Sequence, residues 1–374
     1  MEVIEIFNLS IHKSLKKFII YIITLTIILV TILNTEYNCY ADFEKYIFKE
    51  QLTPNQLAVY EAISSFSAPC DISCEIVLPE PIFISKPYGY EKTLTATDRS
   101  EINFYVSAIT RNAVQALMYD NLDFFWFNSA FDSVCQIDYE EDGIKVEKIE
   151  IPIGVNYLFC DGQEAMDVKN LLDYQVKTFL VTGSSRASRA YSIYQSIISK
   201  TSYSSKSKFS HSAIGVFFEP HYAVCDGYAK AFKTMCDYYD IPCILVGGTG
   251  SVSSERHIWC YVKLEDNEWY AVDPTWESSG DTKYFLKGSD NFFLTHIQFD
   301  TVEGSQTDLH YPEISAENYR FVNLYSTSVE TNLVRAKRFV TSQYSFLPKP
   351  NDLDNDSDFS VTDIMVMKYT IIKN

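Results

Sequence analysis

Apolar and polar residues alternate along RHIWCYVKL and again along EWYAVDPTW, and a turn-like cluster, Glu265-Asp266-Asn267, separates the two runs. In the first run Ile258, Cys260, Val262 and Leu264 share one face, and His257, Trp259 and Tyr261 share the other. In the second, Trp269, Ala271 and Asp273 share a face. The pattern predicts an antiparallel hairpin. A three-residue loop sets Asp273 opposite Trp259 and diagonal to His257, on one face and within side-chain reach. An even loop without a bulge puts the two on opposite faces. Pro274 stops the second strand, because it has no N–H to give a ladder.

Just upstream the period changes. Tyr228, Ala229, Phe232, Met235, Cys236 and Tyr239 recur at helical spacing, which predicts a helix beginning at about Cys225. Leu57, Tyr60, Ile63 and Phe66 predict another within 43–67, with Thr53 as its cap and Pro54 in its first helical position. The segment with Pro79, Pro81 and Pro87 reads as extended, 102–119 as helix and 146–159 as strand. One long helix or two are expected over 166–200, interrupted at Gly183, and 202–210 is a loop. The run 284–299 completes the domain that holds 211–276, and 305–346 has a mixed pattern.

At 374 residues, 47% hydrophobic and 15% aromatic, the chain can bury a full core. A net charge of -18 and a pI near 4.7 argue against nucleic acid as a partner, since phosphate binding needs basic surface. Near the start, Lys13, Lys16 and Lys17 precede an apolar run from Phe18 to Leu33, short for a membrane span and suited to a signal-peptide core. Cys39-Tyr40-Ala41 gives a cleavage site before Asp42; an uncleaved anchor is the alternative, and only then is the membrane a partner. Either way the body lies outside the cytoplasm, secreted or at the cell surface. Export permits disulfides, and Cys70 with Cys74, or Cys135 with Cys160, are candidates. No CxxC or Cys/His zinc spacing is present.

The predicted elements place a thiol, Cys225, at a helix N-terminus, an imidazole, His257, at a strand start, and a carboxylate, Asp273, at the next strand's end. These are the parts of a Cys–His–Asp acyl-transfer site. The helix end favours thiolate and its free N–H groups stabilise an oxyanion, with Gly227 allowing close backbone approach. Taken singly, each residue has a plainer reading: a core cysteine, a hydrogen-bonded histidine, a turn aspartate. Tyr222, Trp259 and Trp276 are candidates for an aromatic wall of the substrate cleft, or for the core; His221 is a candidate for lining the cleft. His221 and His296 are the other candidate bases, with a packing role the plainer reading of both.

The segments AVCDGYAKAF, RHIWCYV and WYAVDPTW resemble the three motifs of the bacterial transglutaminase-like superfamily, which shares its core with papain-type cysteine proteases. HSAIGVFFEPHYAVCDGYA is similar to the lead-in to that family's cysteine, and MYDNLDFFWF to a segment of its amino-terminal part. Cys260 stands where relatives often carry Asn. The resemblance implies an α+β fold, with a helix carrying Cys225 packed on an antiparallel sheet carrying His257 and Asp273. It implies nucleophile, base and orienting carboxylate in that order, a protein or peptide amide as substrate, a thioester intermediate and no cofactor for catalysis. Water as acceptor gives hydrolysis, and an amine gives cross-linking. The alternative is a non-catalytic cell-surface or cellulosomal binding component that retains the fold.

The tail PNDLDNDSDFSVTDIMVMKYTIIKN places Asp352, Asp354, Asp356, Ser360 and Asp363 at positions 1, 3, 5, 9 and 12 of a loop, spacing that wraps oxygen ligands around Ca²⁺. Ser357 replaces the usual Gly, Phe359 takes the hydrophobic position, and an apolar helix follows. The tail resembles one repeat of a dockerin, which implies a cohesin of a cellulosome scaffoldin as partner; the plainer reading is a solvated acidic tail. The expected organisation is a signal peptide or anchor over 1–41, a mixed region over 43–170, the transglutaminase-like domain over 171–300, an extension over 301–347 and the dockerin-like calcium-loop–helix over 348–374.

Overall fold

The computed structural model describes residues 46–251, 255–276, 283–302, 304 and 307–320. The expected leader over 1–41, the tail with Asp352, Asp354, Asp356, Ser360 and Asp363, and the extension beyond 320 lie outside the described residues.

Thr53 and Pro54 start the first helix, α1 (Pro54–Ser64), as their chemistry dictates: the Gln56 side chain accepts from the Thr53 N–H at 3.0 Å, and proline fills a position where no N–H is needed. The proline segment forms β1 (Ile72–Ser85), whose register shifts between Val77 and Ile82, around the two prolines that cannot donate to a ladder. The helix α2 (Ala96–Asp120) starts on a Thr95–Asp98 capping box. A strand the sequence pattern did not predict, β2 (Val134–Tyr139), pairs with β3 (Gly143–Ile153). The strand expected over 146–159 thus starts earlier and stops at Ile153, before Gly154. The three form an antiparallel sheet in the order β1-β3-β2.

The region 166–200 holds two helices, α3 (Gly162–Thr178) and α4 (Arg186–Lys200), separated around Gly183, whose φ of 119° is open to glycine alone at little cost. The boundary expected at 170/171 falls inside α3. The loop expected over 202–210 opens with a two-residue strand, β4 (Ser202–Tyr203). It runs parallel to β5 (Tyr222–Ala223), with the one-turn helix α5 (Ile214–Phe217) between them. Then come α6 (Cys225–Tyr238), β6 (Cys243–Gly250), β7 (Arg256–Lys263), β8 (Trp269–Val272), the short α7 (Ser289–Phe292) and β9 (His296–Gln298). These last four strands form an antiparallel sheet in the order β8-β7-β6-β9, against which α6 packs. The fold is α+β.

One continuous core runs from Phe48 and Ile63 through Trp126 to Trp259 and Leu309. Polar pins fix its parts. Asp120 accepts from the backbone N–H groups of Phe48 and Lys49, at 3.1 and 2.8 Å. Lys233, fully buried on α6, donates to Asp237 at 3.0 Å and to the Cys243 carbonyl at 2.9 Å, so the buried charge is paired and locks the helix to β6. Residues 307–320 fold back: Tyr311 Oη accepts from the Gly247 N–H, Ser315 N–H donates to Trp269 O, and Tyr319 N–H to Leu286 O. Cys70, Cys74, Cys135 and Cys160 are all free thiols, so neither expected disulfide is formed, and Cys225, Cys236, Cys243 and Cys260 are free as well.

Candidate active site

The apolar face of α6, with Tyr228, Ala229, Phe232, Met235 and Cys236 buried, orients the helix so that its first residue, Cys225, reaches the protein surface half-buried. The preceding loop pins that end: Val224 N–H donates to Ser210 O at 3.0 Å. Gly227 lies so close to the same carbonyl that a methyl group there would collide with it. No side chain caps the helix at Val224; the Gly227 N–H donates to Asp226 Oδ1 at 3.1 Å, which leaves the N–H groups of Cys225 and Asp226 beside the thiol. Asp226 is drawn away from it by His211 at 3.0 Å and Lys230 at 3.4 Å.

The hairpin that carries the other two groups has the odd loop. Lys263 pairs with Trp269 and Leu264 N–H donates to Glu268 O at 3.1 Å. That leaves Glu265, Asp266 and Asn267 to turn the chain, with Asn267 in the left-handed region at φ 68°. Cys260 pairs with Val272, so one step further Asp273 stands opposite Trp259 and diagonal to His257. His257 Nε2 donates to Asp273 Oδ2 at 2.8 Å. The second carboxylate oxygen accepts from the Thr275 N–H at 2.8 Å. Cys225 lies near enough to His257 to raise the proton affinity of its ring. With Nε2 committed to the carboxylate, Nδ1 is the ring nitrogen left for the thiol.

Burial alone would discharge both members of this pair. It is the largest single effect on each, lowering His257 and raising Asp273. The hydrogen bonds reverse it. Asp273 and Cys225 together lift His257 to about 9, and His257 and His296 hold Asp273 down to about 2. At neutral pH the cluster therefore contains a carboxylate and a protonated imidazole, out of water.

The other sequence candidates divide. Trp276 is 38% exposed and stacks on His257, centroids 4.7 Å apart and planes 16° apart, so it shields one face of the ring from solvent. Trp259 does not line the cleft: it is 0% exposed, wedged between Phe292 and His296. It shares a strand face with His257, but α7 and β9 roof that face two residues further along. His221 is also turned away. Its Nδ1 bonds to the Val216 carbonyl at 2.8 Å and its Nε2 to Glu219 at 3.0 Å, so the ring closes its own turn. Tyr222 is half-buried on β5, three residues before α6 begins.

His296 is brought to the centre. It is buried, and its Nε2 donates to the same Asp273 Oδ2 at 3.1 Å. The two histidines reach one oxygen because glycines clear the strand between them: Gly248 pairs with His257 and Gly250 with His296. A side chain at Gly248 would strike the Trp259 indole and the Ile297 carbonyl. The ligand atoms of His257, Asp273 and His296 lie within 4.8 Å of one another, close enough for a metal ion, but these atoms already bond to each other. The trio is a hydrogen-bonded cluster.

A family profile described as the transglutaminase-like superfamily matches residues 176–274. Among solved structures, one described as a TGase aligns at 12% identity with a TM-score of 0.28, covering 54% of this chain and 53% of its own. A second, a candidate cysteine protease from Cytophaga hutchinsonii, aligns at 14% identity and a TM-score of 0.25, covering 39% of this chain and 64% of its own. The alignment thus spans less than two thirds of either structure. The curated proteins give no match. The matched segment begins inside α3 and ends one residue past Asp273, and over it the chain carries a transglutaminase-like superfamily domain.

Proposed function

We propose that the protein is a cysteine acyltransferase or peptidase that acts on amide bonds of proteins or peptides through Cys225, His257 and Asp273. The observation that carries this reading is the buried bond from His257 Nε2 to Asp273, which leaves the other ring nitrogen to a thiol at a helix N-terminus. The proton shared by the pair rests on His257 Nδ1, and the Cys225 sulfur attacks the amide carbon. The carbonyl oxygen takes the negative charge, facing first-turn N–H groups of α6. The C–N bond then breaks, and His257 returns the proton to the departing ammonia or amine, leaving a thioester on Cys225. Water or a second amine attacks the thioester carbon, its proton goes to His257, and the thiolate leaves. Asp273 keeps the imidazole oriented and balances its charge in each step.

The family match supports the reading at the level of the domain. The expected leader and the dockerin-like tail support a further proposal, that the enzyme is exported and attached through a calcium-folded module to a cohesin-bearing assembly. Incubating the chain with glutamine-containing proteins and a labelled primary amine, with mass spectrometry of label and cleavage products, tests the chemistry. Label or cleavage in the unaltered chain and none with Cys225→Ala is expected; equal product with Cys225→Ala refutes it. For the tail, calorimetric Ca²⁺ titration should lose its signal on joint Asp352→Ala and Asp354→Ala substitution.

A further inference from the structure

The chemistry just proposed uses one histidine, yet two donate to the same carboxylate oxygen. We infer that His296 is a positioning residue of the site: it is the standing donor to Asp273 Oδ2, holding the carboxylate in place and ionised while His257 gains and loses its proton. This inference rests on the proposed role of Cys225, His257 and Asp273.

The reasoning starts from burial. Asp273 is 0% exposed, and an ionised carboxylate in such a place needs hydrogen-bond donors in full. It has three: His257 and His296 on Oδ2, and the Thr275 N–H on Oδ1. During a turnover His257 alternates between charged and neutral forms, so its pull on Oδ2 varies. Of the two donors on Oδ2, His296 is the one with no part in the proposed proton transfer. Its ring is clamped face to face on Phe292, centroids 3.8 Å apart and planes 14° apart, with Trp276 at 4.5 Å, Trp259 at 5.1 Å and Tyr284 at 5.5 Å around it. Its Nδ1 lies 2.9 Å from Thr295 Oγ1. The Thr295 hydroxyl donates to the Phe292 carbonyl at 3.2 Å, so it is the carboxylate that sets the tautomer: it can only accept, and a ring hydrogen therefore belongs on Nε2, the atom facing Asp273. A ring with no role beyond packing needs neither a selected tautomer nor a second bond to an oxygen that already has one. The titratable groups that face the cluster are Cys225 from α6, His257 from β7, Asp273 after β8, Tyr284 before α7 and Tyr203 from β4. Asp273 is the one whose ionisation His296 touches directly, and His296 lowers it.

The test needs no substrate. Iodoacetamide alkylation of Cys225, followed by mass spectrometry of its peptide across pH, reports the thiol–imidazole pair. His296→Phe keeps an aromatic ring in the stack but removes both nitrogens. We expect its Cys225 rate to fall between roughly tenfold and a hundredfold, the loss typical of misplaced catalytic groups. We also expect the acid limb of its profile to move to higher pH, because Asp273 then takes up a proton more easily. His296→Gln returns a donor and should recover most of both changes. A folded His296→Phe chain with the unaltered rate and acid limb would overturn the inference, as would a His296→Gln chain no better than His296→Phe. Should His296→Phe not fold, ¹⁵N spectra of the unaltered chain decide: the His296 Nε2 proton should persist through the pH range in which His257 titrates, and its absence there refutes the role. If Cys225 of the unaltered chain alkylates no faster than exposed Cys160, the proposed chemistry itself fails, a result distinct from an unmoved His296→Phe profile.

Discussion

The two larger sheets of this molecule handle water differently. Along β1 and β2 buried positions are few, and Val77, Val134 and Phe83 face solvent together with the Lys148–Glu75 ion pair. Along β6, β7 and β8 nearly every position is buried on both faces. A one-sided sheet tolerates charges because water solvates them, and its ion pairs matter little for the same reason. A two-sided sheet penalises every polar group it encloses. The second sheet nonetheless encloses His257, Asp273 and His296. The same exclusion of water that makes them costly makes each hydrogen bond among them strong enough to set charge states.

Changes in the buried sheet should therefore outrank those in the open one. The largest effect belongs to Cys225→Ala, which should leave the fold intact and abolish thioester capture by mass spectrometry. Asp273→Asn comes next: with the imidazole no longer held in tautomer and charge, kcat should drop on the order of 10⁴-fold, the loss seen when a triad carboxylate is neutralised. For stability, Trp259→Ala should cost about 3–5 kcal/mol by urea unfolding, while Val134→Ser on the open sheet stays within about 0.5 kcal/mol. Comparable losses at the two sites would erase the contrast.

Acid and base sharpen it further. Asp273 is depressed to about 2 in the fold, against about 3.9 in an unfolded chain. Its stabilisation is complete above the unfolded value and is lost as pH falls towards 2. His257 is raised to about 9, against about 6.5 unfolded, so its contribution is complete below 6.5 and is lost as pH rises through 9. Melting temperature should accordingly peak between about 4 and 6.5, and Asp273→Asn should flatten both flanks. The smallest effect is expected from Lys148→Ala, whose partner Glu75 lies in solvent: no measurable change in melting, at low salt or high.

Much of the candidate site could be read from local sequence, because its determinants are local. The parity of the Glu265-Asp266-Asn267 loop decides whether Asp273 and His257 share a face, and the run of apolar residues after Cys225 decides where a helix begins. What escaped depends on pairings that no local period encodes. His296 joins Asp273 because β9 pairs with β6, at the far edge of the sheet from β8, and because Gly248 leaves room for a ring on the strand between. The nearest signal was a histidine set in an apolar run, FFLTHIQF, which calls for a buried partner without naming it. Alternation left Trp259 open between cleft and core; the layer of α7 and Phe292 above it makes it core. The strand β2 carries too few buried positions for its pattern to stand out.

The indole laid on His257 has an optical consequence. Trp126, Trp259 and Trp269 are enclosed, whereas Trp276 is part-exposed and parallel to an imidazole that carries a proton below pH 9. A charged imidazole in face-to-face contact withdraws an excited electron from indole and darkens its emission. The emission of Trp276 should therefore report the His257 proton, brightening as the ring discharges.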